Sequence, residues 1–345
     1  MKGLLDWMVA EQDRDPSRIR ARVFAPVSKA EGLVVLCSAI ILVAALRYDG
    51  SGSDWEIFAG AADGGWESEF GLGYYYAYWL LPIFDAYDAL GIVGQLLWSA
   101  TNVAGAWFAA RVFGSRPAVV LAGFGALTAF YTGTITGVAL GALAGIFWAC
   151  LAGWWTLAGA LTLLSLAKPQ WGVVLTLLIV VNAAPRIRDL LKMAIVPVPA
   201  VIGSFLYWGW WPGDILERAG DNPPVGNSSL WSYIGPIAIV LWLPVLLPMD
   251  KQRRVALAAA TAMMAVPYVQ HYDYMVVWVM TADGLGLVSH FYGLLFTFVG
   301  ERATKGVLII PMFGAWVLLA REPVMQAWSR ARAAIARRGS VEQPA

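Results

Sequence analysis

From Gly32 to Ala320 the chain is a succession of apolar runs, interrupted by short polar or glycine- and proline-containing stretches. A helix needs about 20 mostly apolar residues to cross a bilayer. In hydrocarbon, every backbone N–H and C=O must be satisfied within a helix or a closed barrel. The runs lack the strict alternation of barrel strands, so helices are expected. Composition agrees: charged residues make up 14% of the 345 and hydrophobic residues 59%. A soluble domain carries about 25% charged residues. The sequence therefore predicts an all-α polytopic integral membrane protein with about eleven to thirteen helical membrane segments.

The distribution of Lys and Arg sets an orientation. Arg14, Arg18, Arg20, Arg22 and Lys29 precede the first apolar run, Glu31 to Leu46, and only Arg47 stands among the carboxylates that follow it. The positive-inside rule puts the N-terminus in the cytoplasm and the acidic stretch 47–73 outside. Residues 1–30 show no signal-peptide pattern. Leu4, Leu5, Met8 and Val9 share a spacing that suits an interfacial helix. PRIRDLLK (Pro185–Lys192) and MDKQRR (Met249–Arg254) read as cytoplasmic turns, residues 212–231 as an external loop, and 321–345 as a basic cytoplasmic tail. Residues 31–320 then form one membrane domain. The apolar segments number thirteen, an odd count for two cytoplasmic ends, so at least one piece is re-entrant or split.

A net charge of +1 with no basic patch gives no reason to expect a nucleic-acid partner. The two cysteines, Cys37 and Cys150, lie in apolar segments and supply no disulfide or metal framework. His271 and His290, the two histidines, have no carboxylate–histidine ligand spacing around them, and no metal site is expected.

Four stretches carry chemistry. In SDWEIF, Asp54 either caps a helix or places a carboxylate at the mouth of a membrane cavity, where it can take a proton from a hydroxyl nucleophile. Trp55 and Phe58 would anchor that segment at the interface. In LAKPQWG (Leu166–Gly172), Lys168 either snorkels from a helix end, with Pro169 starting the next helix, or meets a phosphate, with Gln170 beside it. VPYVQHYDYMVVW (Val266–Trp278) sets His271 and Asp273 among Tyr268, Tyr272 and Tyr274. It reads either as an aromatic belt or as an ionisable site at the membrane boundary. The fourth, GYYYAYWLLP (Gly73–Pro82), offers aromatic faces to pack or to hold sugar rings, with Tyr74 and Tyr75 leading. GNSSLW (Gly226–Trp231) adds small polar groups, Asn227 first among them.

In this order the four stretches resemble the polyprenol-phosphate-sugar-dependent glycosyltransferases of family 87, within the GT-C superfamily. The matching residues are Asp54, Trp55, Phe58 and Ala61; Tyr74 to Tyr76; Lys168, Pro169 and Gln170; and Pro267, Tyr268, Tyr272 and Asp273. The resemblance spans about Glu31 to Val299. It implies a GT-C fold, residence in a bacterial plasma membrane with the active site outside, and Asp54 as catalytic base. It further implies inverting transfer of a hexose, often mannose, from a polyprenyl monophosphate to a lipid-linked or glycan acceptor. Lys168, His271 and Gln170 are then the candidates for the donor phosphate, and Trp55, Tyr74, Tyr75, Asn227, Tyr272 and Asp273 for sugar and acceptor. No cofactor or metal is expected. Asp63, Glu67 and Asp273 stand as other candidates for the base. The chain departs from the pattern at YTGTITG (Tyr131–Gly137), where relatives often carry an N-G-Q-like motif, and at Ala167, where they often carry an aromatic. A flippase of lipid-linked sugars would favour inverted repeats or helices broken at the midplane, and no repeat is evident. An inactive membrane subunit is the third reading.

Overall fold

The computed structural model describes residues 15–45, 54–62, 76–221, 227–289 and 301–341, and these are helical, with no strand among them. The elements run in order α1 (Pro16–Val23), α2 (Lys29–Ala45), α3 (Asp54–Ala62), a 3₁₀ turn (Tyr78–Leu80), α4 (Leu81–Asp88), α5 (Ile92–Phe113), α6 (Pro117–Leu121) and α7 (Phe124–Thr132). Then come α8 (Thr136–Ala152), α9 (Trp155–Ser165), α10 (Pro169–Ala183), α11 (Ile187–Ala194), α12 (Pro197–Trp208) and α13 (Trp211–Asp221). The chain closes with α14 (Trp231–Ile234) running into a 3₁₀ helix (Gly235–Leu246), α15 (Lys251–Ala265), a 3₁₀ turn (His271–Tyr274) leading into Met275–Ala282, and finally α16 (Glu301–Val341). The stretch Leu4–Val9 lies outside the described residues.

The apolar runs are cut more finely than their hydropathy suggests. Among the described residues, one continuous helical stretch, Ile187–Trp208, is long and apolar enough to cross a membrane. α7 and α8 pass that test as a pair, bent by 115° at the break between them. The odd segment count anticipates such a split or re-entrant piece. Trp155–Ser165, Pro169–Ala183 and Trp231–Leu246 are apolar but shorter. The breaks follow from local chemistry: Gly133 ends α7 in the left-handed region, at φ 69°, where residues with a Cβ are strained. Outward-facing stripes nevertheless remain apolar. Leu33, Leu36 and Ile40 on α2, and Val173, Leu177 and Val181 on α10, are all exposed at helical spacing.

α5 and α8 form the frame. A Cβ on Gly137 would sit 2.3 Å from the Asn102 carbonyl, and one on Gly141 would sit 2.7 Å from Gly105 Cα. The two backbones touch because neither helix places a side chain between them. Asn102 Oδ1 accepts from Val138 N at 3.2 Å, satisfying one of the free donors in the first turn of α8.

Two ion pairs stand at and just beyond the end of α5, the first buried and the second with an exposed arginine. Arg111, at the end of α5, reaches Glu31 at 2.9 Å and also donates to the carbonyls of Arg22, Ala25 and Pro26. The link between α1 and α2 is thereby clamped onto α5. Arg116 meets Asp283 at 2.8 Å, and its backbone N–H donates to the same carboxylate.

Three stretches read as turn, loop and tail carry helix. Residues Pro185–Lys192 are no mere turn: α11 occupies most of them, with Asp189 accepting from the Arg186 N–H at 3.0 Å. The stretch 212–231 carries α13, whose Trp211 side chain packs inward on Tyr78 and donates to Ser204 Oγ. The tail after Arg321 continues as helix to Val341. Its residues are mostly good helix formers, and Glu322 bonds Gln326 one turn on.

Candidate active site

Asp54 opens α3, the short helix between the first apolar run and the aromatic stretch. The helix is seated by its apolar side: Phe58 stacks on Phe84 with ring centroids 4.3 Å apart, and Trp55 lies 6.3 Å from Trp98. Both side chains are buried, each burial stabilising the seat by roughly 2–3 kcal/mol. Gly133 passes directly beneath Trp55, where a Cβ would meet the Trp55 Cβ at 3.1 Å. Trp98 Nε1 donates to the Gly133 carbonyl at 2.7 Å. The indoles of Trp55 and Trp98 therefore hold the break between α7 and α8 against the start of α3.

That break brings Thr134 and Thr136 into the site. The Thr134 hydroxyl hydrogen-bonds to Asp54. Thr136, 3.5 Å from Thr134 through their hydroxyls, donates to Asp273 Oδ1 at 3.0 Å. Tyr76, just before the first 3₁₀ turn, also bonds Thr134.

Lys168 precedes Pro169, whose ring disfavours the helical region for it. It adopts φ −112°, ψ 76° and ends the link between α9 and α10. Its side chain is 2% exposed and its Nζ is 3.4 Å from Asp273 Oδ1. The ring centroids of Tyr272 and Tyr76 lie 4.8 and 5.5 Å from the ammonium, a cation–π arrangement. Asp273 is fully buried, and its second oxygen accepts from the Gln270 N–H at 3.2 Å. Tyr272 completes the ring of contacts by donating its hydroxyl to Asp54 Oδ2 at 3.2 Å.

Residues 54, 134–136, 168 and 272–273 thus meet where two apolar clusters join, one around α3, α4 and Trp98 and the other around α5, α8 and α15. Asp54 and Asp273 differ in environment. Both oxygens of Asp273 are engaged and the residue is fully buried, whereas Asp54 is half-buried. Burial holds the Asp54 carboxyl above its ordinary range, against the opposing pull of Lys168 and of the Thr134 and Tyr272 hydroxyls; Asp273 adds to the upward push. A raised carboxyl is a stronger base than an ordinary carboxylate and so better suited to accept a proton.

The other sequence candidates fall in three places. His271 stands beside the site, stacked on Phe124 with centroids 5.4 Å apart and edge-on to Tyr272. Gln170 lies in the first turn of α10, and its Oε1 is buried with no hydrogen-bond partner among the described residues. Asn227 is occupied with backbone: Nδ2 donates to the Pro267 carbonyl at 2.6 Å, and Oδ1 accepts from Ser229 N and Val269 N. It fixes the approach to the 3₁₀ turn that carries Asp273. Tyr74, Tyr75, Asp63, Glu67 and His290 lie outside the described residues. Among the described residues, no group of three His, Cys, Asp or Glu side chains is placed to share a metal ion.

Thr134 and Thr136 join the site without having been singled out for it by the sequence, and Tyr76, matched in the family pattern but given no role there, joins them. The available signal was a pair of threonines flanked by glycines, T-G-T-I-T-G, at a break in an apolar run.

No family model matches this chain, and no curated protein matches it. Among solved structures it is similar to the crystal structure of ArnT from Cupriavidus metallidurans bound to undecaprenyl phosphate. The identity is 16% and the TM-score 0.44, over 81% of this chain. This chain covers 62% of that one.

Proposed function

We propose that the chain is a membrane glycosyltransferase that moves a hexose from a polyprenyl-monophosphate donor to an acceptor hydroxyl, with Asp54 as the general base. One observation supports the reading: Asp54, Lys168 and Asp273, from segments more than a hundred residues apart, converge in one cluster with a half-buried acid beside a buried cation. In an inverting transfer the acceptor oxygen attacks C1 of the sugar from the face opposite the phosphate. The C1–O bond to phosphate breaks and its electron pair leaves with the phosphate. The acceptor proton passes to Asp54. Positive charge near the leaving group and hydrogen bonds to the developing anion lower the barrier, and Lys168 supplies the charge. Gln170 and His271 border the same region and are assigned to the donor.

Asp273 is assigned to positioning rather than to proton transfer. Its oxygens are already taken by Lys168, Thr136 and the Gln270 N–H, so it orients the lysine. The apolar exterior stripes and the helical stretch Ile187–Trp208 support a bilayer location. In the orientation read from the Lys and Arg distribution, α3 faces outside. Mannose is the proposed sugar, and a glycolipid or glycan the proposed acceptor.

The test is transfer of label from polyprenyl-phosphate-mannose, and in parallel from other polyprenyl-phosphate hexoses, into lipid extract by the purified protein in nanodiscs. Labelled product that depends on the protein is expected. Failure with every hexose donor would overturn the assignment.

A further inference from the structure

α16 is 41 residues long, about 60 Å at the rise of an α-helix. The rest of the chain holds it as far as Pro323. Met312, Ala315, Leu319 and Ala320 are buried, and Trp316 Nε1 donates to the Leu241 carbonyl and to Thr261 Oγ1. Glu322 then pairs with Arg253 of the MDKQRR segment. That segment also meets the end of α10, where Asn182 Nδ2 donates to the Lys251 carbonyl at 3.3 Å. Asn182, Lys251, Arg253 and Glu322 thus mark one end of the helical bundle. Beyond it, from Val324 to Ile335, the described side chains are exposed, apart from half-buried Ala327. The polar contacts described there stay within the helix: Ser329 donates to the Met325 carbonyl, and the Arg332 guanidinium lies 5.8 Å from the Trp328 ring centroid.

Val324, Trp328, Ala331 and Ile335 recur at intervals of four, three and four, which makes one apolar stripe. Trp328 is 63% and Ile335 71% exposed. At about 100° per residue, Arg332 borders the stripe on one side and Arg330 on the other. Residues 321–341 hold five arginines against one carboxylate, Glu322, which Arg253 already engages. We propose that 324–341 is an interfacial helix lying on the bilayer leaflet at this end of the bundle, with Trp328 and Ile335 among acyl chains and the arginines on the phosphates of anionic phospholipids. Pro323 has no N–H for the Leu319 carbonyl, and a helix bends at such a residue. The bend falls beside the Glu322–Arg253 pair, where a helix leaving the bundle must turn to lie along a surface. Charge selects the occupant. A second copy would set arginines beside arginines with no free carboxylate to pair them. An anionic bilayer surface offers opposite charge to the arginines and hydrocarbon to the stripe at once. Arg186, Arg188 and Lys192, which follow α10 at the same end, and Lys251, Arg253 and Arg254 add to a field of the same sign. The inference rests on the proposed bilayer location and not on the sugar-transfer reading.

The experiment uses the full-length protein in nanodiscs of phosphatidylglycerol or of phosphatidylcholine. A nitroxide is attached through Ala331→Cys or Ser329→Cys in a Cys37→Ala/Cys150→Ala background, and its collisions with oxygen and with a water-soluble nickel chelate are measured. In phosphatidylglycerol the label at 331 should favour oxygen and the label at 329 the chelate. In phosphatidylcholine the label at 331 should move toward the chelate. Arg330→Gln/Arg332→Gln should lower the ratio of immersed to water-exposed helix in phosphatidylglycerol by about fivefold for each arginine. A second measurement needs no substitution: tryptic cleavage of the wild-type chain after Arg330 and Arg332 should be slower in phosphatidylglycerol than in phosphatidylcholine by about fivefold or more. A water-exposed label at 331 in phosphatidylglycerol, or equal cleavage in the two lipids, would overturn the proposal. Spin–spin broadening between labels at 331 that is the same in both lipids would give the stripe to a second copy and overturn it as well. A label introduced by Leu177→Cys, in the outward stripe of α10, tests the bilayer location separately. Oxygen contact at 177 with water at 331 removes the interfacial helix and keeps the bilayer location. Water at 177 removes the bilayer location, and the inference with it.

Discussion

Replacing Lys168 by methionine removes the cation that faces Asp273 at 3.4 Å and leaves two carboxylates, Asp54 and Asp273, in one pocket. Removing one partner of a buried ion pair costs about 3–5 kcal/mol, because the other charge stays desolvated and uncompensated. Asp273→Asn is a smaller injury. Lys168 keeps the Asp54 carboxylate nearby, and the amide oxygen can still accept from Thr136. The amide NH2 then faces the Gln270 N–H, which loses its acceptor, so the loss is about 1.5–3 kcal/mol. The double variant Lys168→Met/Asp273→Asn carries no stranded charge between those positions, so it should recover about 2 kcal/mol relative to Lys168→Met alone. Reversible unfolding of the purified protein in mixed micelles measures all three. A loss from Asp273→Asn equal to or larger than that from Lys168→Met would refute the charge arrangement, as would a double variant whose losses simply add.

Other expectations follow from neighbouring contacts. Because Asp54 must be ionised to act and its carboxyl is held high by burial, transfer should rise with pH through a limb above the ordinary carboxylate range. Thr134→Val and Tyr272→Phe each remove a donor to the charged form, so each should move that limb to higher pH in a pH–rate profile. Gly133→Ala forces a Cβ into a left-handed backbone and against Trp55; it should cost about 1–2 kcal/mol of stability and lower turnover by displacing the α7–α8 break. Arg111→Ala strands buried Glu31 and frees the carbonyls of Arg22, Ala25 and Pro26. It should cost about 3–5 kcal/mol, with faster proteolysis between α1 and α2 as the direct readout.

The residue types of the site were legible because ionisable groups are costly among apolar helices and so stand out. Asp54, Lys168 and Asp273 interrupt or border apolar runs, and each is found in the pocket. Their pairing was less legible. Lys168 reads from sequence as a phosphate partner, while in the fold it is also held by Asp273, a contact between positions 105 residues apart. Thr134 and Thr136 escaped notice because a threonine hydroxyl acquires meaning only from what the α7–α8 break brings beside it. Asn227 shows the opposite effect: a polar residue in a loop suggests a ligand contact, but three backbone groups occupy it. Helix lengths were the least legible feature. Hydropathy registers the apolar runs and is blind to a glycine that turns left-handed within one, as Gly133 does. It is equally blind to charged sequence that goes on as helix beyond Arg321.

The most direct test of the central claim compares Asp54→Asn with wild type in two assays on the same preparation: binding of the polyprenyl-phosphate sugar, and its transfer in a single turnover. The account predicts donor binding within about threefold of wild type and transfer reduced by at least about a hundredfold, the range expected for loss of a general base. Transfer by Asp54→Asn at a rate near that of wild type would contradict it.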